Sequence, residues 1–201
     1  MENNEITMTG VDYNAQKETI VKCLRILTLC AIASLCANVL CEIPVIGDFF
    51  EWVSRVVSLV PIYALFCLRD VNKRYRKASI FCGISAVGNI ISFVLDLNIF
   101  ISLLLAVCTL IASYQEYNGH SELSLENDKK LAKRWRSLFY IELFGGILTF
   151  IAGITLVSFA LVSDADTAVV STVTGICVAI ITVLFKALYI LYLKKTISFY
   201  R

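Results

Sequence analysis

The sequence predicts an all-α, polytopic integral membrane protein with six transmembrane helices arranged as three helical hairpins. Three observations carry that expectation. Of the 201 residues, 58% are hydrophobic and only 17% charged, with a mean hydropathy of +0.77, far too apolar for an ordinary soluble domain. The apolar residues are gathered into blocks, each near the roughly 20 residues that a helix needs to cross a bilayer core. No block alternates apolar with polar residues as a barrel strand would, and backbone in lipid must satisfy its own hydrogen bonds, so the blocks read as helices.

Taken in order, residues 1–19, MENNEITMTGVDYNAQKET, form a polar N-terminal segment. They carry no basic stretch followed by a cleavage site, so the first apolar block is expected to remain as a membrane anchor. The predicted spans are 20–41, 50–68, 78–95, 97–114, 137–161 and 168–193. The middle pair is divided only by Asp96 and reads either as one buried hairpin or as two short spans. The connection 115–136 is the longest, with an Asn-Gly turn at 118–119 and an N-cap at Ser124 or Asn127 ahead of a basic helical run that continues into the fifth span. Residues 194–201 make a basic tail.

Positive charge sorts the ends. Lys17, Lys22 and Arg25 open the first span, and Arg69, Lys73, Arg74, Arg76 and Lys77 separate the second from the third. Lys129, Lys130, Lys133, Arg134 and Arg136 precede the fifth, and Lys194, Lys195 and Arg201 follow the sixth. The alternate connections hold Glu42, Asp48, Glu51, Asp96, Asp164 and Asp166, with Arg55 the one basic residue nearby. The positive-inside rule then places both termini and both basic connections in the cytoplasm, most naturally at a plasma membrane. Arg25, Arg76, Trp135 and Arg136 are the expected interfacial anchors, and Trp52 with a Glu51–Arg55 ion pair serves the outer side.

A faint repeat runs through the odd-numbered spans. RILTLCAIASLCANVL from Arg25 aligns without a gap with RKASIFCGISAVGNII from Arg76, matching Ser34 to Ser85 and Asn38 to Asn89. RSLFYIELFGGILTF from Arg136 follows more loosely, with Gly145 and Thr149 in those places. Small residues let membrane helices approach, and a polar residue one turn on can hydrogen-bond across the contact. Asn38, Asn89 and Thr149 are therefore a candidate interior polar cluster, acting as interhelical glue or as a pocket for an ion or small ligand.

Two ionisable residues lie well within spans, Glu142 and Lys186. Counted from a turn at Ala165 they differ in depth by two residues, or about 3 Å of helix. Each sits on a face of small and polar residues: Gly145, Gly146, Thr149 and Gly153 with the glutamate, Ser171, Gly175, Ala179 and Thr182 with the lysine. They are a candidate intramembrane ion pair, since an unpaired charge at mid-span costs about 2.5–3.5 kcal/mol on insertion scales. Lys186 can instead snorkel alone to the headgroups.

Other chemistry is thinly represented. The eight cysteines (Cys23, Cys30, Cys36, Cys41, Cys67, Cys82, Cys108 and Cys177) lie in or beside apolar blocks without a Cys-x-x-Cys pair, and read as packing residues. His120 is the one histidine, so no His-based zinc motif can form, and GHSEL at 119–123 reads as a solvated stretch. FGGIL at 144–148 lacks the lysine of a phosphate-binding loop. RDVNKRYRK and KKLAKRWR interleave basic and aromatic residues, which beside a span suits anionic lipid headgroups at the cytoplasmic face rather than nucleic acid. No catalytic residue, metal site or cofactor is expected. The leading expectation is a non-enzymatic accessory, regulatory or self-associating membrane component, with a membrane-protein partner or a second copy. The alternative is a small transporter or channel with a polar path through the bundle.

Overall fold

The computed structural model describes residues 10–41, 47–95, 99–163 and 167–201. Side chains are described within these except at 10–13, 38–39, 41, 47–48, 51, 93–95, 99, 149–150, 156–157, 159–163 and 167–174. Every described element is helical: α1 Gly10–Cys41, α2 Gly47–Val57, α3 Val60–Cys67, a 3₁₀ turn Leu68–Asp70, α4 Lys73–Leu95, α5 Ile99–Leu125, α6 Lys129–Ser163 and α7 Thr167–Ser198. Helix α1 packs on α2, α3 and α7, while α4, α5, α6 and α7 follow one another as packed neighbours. First and last helices therefore meet, and the bundle closes around an interior.

Five segments are long and apolar enough to cross a membrane: Asn14–Ala37, Trp52–Asp70, Phe100–Leu125, Lys129–Thr155 and Gly175–Ser198. Helix α4, opening with Lys73, Arg74, Arg76 and Lys77, falls short of that measure over its described length. The outer surface is broadly apolar, with Phe100 at 73% and Leu148 at 68% exposure, as suits a lipid solvent.

The second predicted span is two helices. Val57 ends α2, and Ser58 and Leu59 turn back onto Ser54 and Val56 at 3.0 and 3.1 Å before α3 begins. Pro61, in the first turn of α3, is the cause. It has no N–H to give to the carbonyl of Val57 four residues back, and its ring crowds that carbonyl.

The predicted connection 115–136 is also different. Helix α5 runs to Leu125 and α6 begins at Lys129, so the Asn118-Gly119 turn is helix, as is Ser124. Burial overrides the turn signal here: Gly119 faces the ring of Tyr75, so closely that a Cβ would lie 2.9 Å from Cε1. The cap of α6 is neither Ser124 nor Asn127. Asp128 accepts the Lys130 and Leu131 amides on Oδ1 at 2.8 and 2.9 Å, and binds Lys195 Nζ through Oδ2 at 2.7 Å.

Helical extension of this end creates the core. Leu24, Leu65, Leu68, Tyr75, Leu131, Trp135 and Leu193 are wholly buried there. Trp135 is thus no interfacial anchor: its indole donates to Thr196 Oγ1 at 3.2 Å and its ring stacks near His120, at 4.6 Å between centroids. Tyr75 turns inward likewise, while Lys73, Arg76, Lys77, Lys129, Lys130 and Arg134 stay exposed. The aromatics of both basic clusters serve the core and the charges serve the surface. Arg25 is exposed, and Arg136, also exposed, donates to Ser121 Oγ at 3.0 Å. Arg74 and Asn72 clamp Glu122 at 2.6 and 2.8 Å, tying α4 to α5.

Candidate functional site: a polar cavity inside the bundle

A cavity of about 690 Å³ lies within the bundle, lined by residues from all seven helices. Ser34 of α1 and Ser85 of α4, aligned in the repeat, both face it, as do Ser54, Ser58 and Pro61 around the α2–α3 break. Polar contacts continue across its wall. Asn89 Nδ2 donates to Ser85 Oγ at 3.3 Å, and Ser85 shares a 2.5 Å hydrogen bond with Thr109 of α5. Helices α4 and α5 can approach this closely because Gly88 leaves room for the Leu105 side chain, which a Cβ would overlap. Asn38 and Thr149 have side chains outside the described residues, so of the expected polar cluster Asn89 alone is placed.

Glu142 and Lys186 both line this cavity. They do not form the expected ion pair: the Lys186 nitrogen and the Glu142 carboxylate oxygens are not within 4.0 Å of each other. Glu142 instead accepts a hydrogen bond from Tyr117 of α5 at 2.6 Å. Depth and facing, which the sequence supplies for adjacent helices, do not specify a third helix that reaches the carboxylate first. Nor does the small face of α6 and α7 close throughout. Gly145 meets the Phe185 ring, 3.2 Å from where its Cβ would be, but Gly146, Gly153 and Gly175 have nothing within 4 Å.

Sequence reasoning missed a second carboxylate, Glu116, which lines the cavity at the end nearer the buried core. Tyr189 of α7 donates to it, and its Oε1 lies 3.5 Å from His120 Nε2. His120 is fully buried, far from the solvated stretch expected. Its Nδ1 pairs with Tyr75 Oη at 2.8 Å, while Nε2 has no hydrogen-bond partner among the described residues. The signal was present in the four-residue spacing of Glu116 and His120, which faces them on one side of a helix. Reading Asn118-Gly119 as a turn hid it.

A second space of about 590 Å³ between α5 and α6 shares Asn89, Thr109, Ser113, Glu142 and Gly146 with the first. It is also walled by Leu110 and Ile147, both exposed on the outer apolar surface. Glu142 is therefore reached both from the interior and from the groove between these helices.

Among the described residues no group of three or more His, Cys, Asp or Glu side chains is arranged to hold a metal ion. The seven described cysteines are free. Arg55 reaches the carbonyl of Asn89 at 3.3 Å, and the side chain of its expected partner Glu51 lies outside the described residues. Compared with models of protein families, with curated proteins and with solved structures, the chain matches none.

Proposed function

We propose that the chain is a small multi-pass carrier or channel for a polar solute, with the interior cavity as its binding site. The cavity is the observation that carries this. Its volume is in the roughly 300–1,000 Å³ range of small-molecule sites, and it gathers Glu116, Glu142, Lys186 and several hydroxyls in a molecule whose outside is apolar. Ionisable side chains facing an interior space between membrane helices are costly, and mark solute or ion paths by default. The interrupted α2–α3 segment supports the same view, because irregular backbone at membrane depth is tolerated where it lines a cavity, as around transporter sites.

In this proposal α1, α2–α3, α4, α5, α6 and α7 are six spans of a plasma membrane, with both termini and the basic ends cytoplasmic and near anionic headgroups. A cysteine introduced beside Asp48 or Asp164 then reacts with an impermeant reagent from outside, and one beside Lys129 does not. The functional test is flux through purified protein in liposomes. Glu142→Gln, which keeps an acceptor for Tyr117, is expected to change the flux while leaving the melting temperature nearly in place. Folded protein that passes no solute and co-purifies stoichiometrically with another membrane protein would replace the carrier by the accessory component.

A further inference from the structure

Resting on that proposal, we infer that the cavity's ligand is a small zwitterion: an ammonium and an anionic group on a short spacer, as in an α-amino acid or an ethanolamine phospholipid headgroup. The argument is one of charge complementarity. Lys186 lines the cavity without a hydrogen bond or ion pair among the described residues, and Glu142 makes a single hydrogen bond, to Tyr117. The two share one space, but their charged nitrogen and oxygen atoms stay more than 4.0 Å apart. Lys186 has the attraction of Glu116 across the cavity but no direct contact with it, and Lys186 and Glu142 each carry a desolvation cost that a contacting partner would offset.

A simple anion would satisfy Lys186 but meet Glu116 and Glu142, and a simple cation would do the reverse. A zwitterion turns its anionic end to Lys186 and its ammonium to Glu142, adding no net charge to a low-dielectric interior. Glu116 is already held by Tyr189 and faced by His120, which leaves Glu142 as the carboxylate with free acceptor positions. Phe185, seated on Gly145 beside Lys186, gives an apolar wall for the rest of the ligand. The two sources of this chemistry have separate routes: a free solute through the interior, a lipid headgroup through the groove between α5 and α6.

The test is calorimetric titration of the detergent-solubilised full chain. The common L-amino acids are titrated first, and the tightest is compared with its decarboxylated amine and its deaminated acid. Lysophosphatidylethanolamine is compared with lysophosphatidylcholine, whose quaternary ammonium cannot donate a hydrogen bond to Glu142. Binding of an amino acid at least tenfold tighter than either half supports a free solute, and selective binding of the ethanolamine lipid supports a headgroup. Lys186→Met and Glu142→Gln should each weaken that binding at least tenfold, and Lys186→Arg should restore most of it in a folded protein. Equal binding of the amine or acid half, or no binding of any zwitterion, overturns the inference. Flux of a singly charged or neutral solute in that case would leave the carrier proposal standing; absence of all flux would remove both.

Discussion

Replacing Gly119 by alanine tests the close packing of α5 against Tyr75. In an unobstructed helix the change would gain about 1 kcal/mol of helix propensity. In the structure the new methyl would stand 2.9, 3.0 and 3.3 Å from Cε1, Cζ and Cδ1 of Tyr75. That ring is fully buried and tethered to His120, so it cannot retreat as a flexible chain end would. Overpacking of this kind costs about 1–3 kcal/mol. If the ring does shift, the Tyr75–His120 bond is lost, and a buried group left unpaired costs about 1–3 kcal/mol. Against the propensity gain, either route leaves a net loss of up to about 2 kcal/mol relative to the wild type, and about 1–3 kcal/mol relative to an unobstructed Gly→Ala change. At about 2–4 °C per kcal/mol, thermal unfolding in detergent should start several degrees lower than after such an unobstructed change. Gly153→Ala, with nothing within 4 Å of its Cβ position, is the control and should melt at or above the wild-type temperature. A Gly119→Ala protein as stable as Gly153→Ala would refute the packed-helix account.

Two further predictions concern polar contacts. Tyr117→Phe should cost about 1–3 kcal/mol by leaving the Glu142 acceptor short of its donor, and in a double-mutant cycle it should couple to Glu142→Leu, which removes the acceptor, more strongly than Lys186→Met does; the reverse order would restore the direct Glu142–Lys186 pair. At the tip of the α5–α6 hairpin, the hydrogen bond from Lys195 and then the Leu131 amide hold the Asp128 carboxyl down to about 2 from its ordinary 3.8. A depressed folded-state value means that this contribution is present above about pH 4 and is lost as pH falls through about 2. Melting temperature followed across that acid window should fall less steeply in Asp128→Asn than in the wild type, and identical slopes would show that the cap adds no pH dependence.

The sequence made some of this legible and hid the rest for identifiable reasons. Long apolar blocks announce helices whatever their neighbours do, so the helical elements could be read directly. The ends could not, because Tyr75, Trp135 and the segment 115–125 bury themselves against other helices rather than ending at an interface. Glu142 and Lys186 stood out as charges in apolar runs, and both line the cavity, without the direct contact that counting from the turn led one to expect. Tyr117 as the partner of Glu142 was out of reach, since tyrosine is unremarkable near a membrane boundary and α5 was expected to stop at 114. Pro61 carried its own announcement, a missing donor four residues after Val57, within a block that hydropathy alone reads as continuous.

The contacts that α7 and the turn after it make with α5 and α6 bear on how the core is sealed. Trp135 depends on Thr196 for its indole partner, Asp128 on Lys195, and the Leu123 carbonyl on Tyr200, all supplied by α7 or the turn after it. The earlier helices hold those groups unanswered until α7 and the turn after it pack against them. Sealing of the core therefore waits for α7, and a chain lacking α7 would leave these polar groups without their partners.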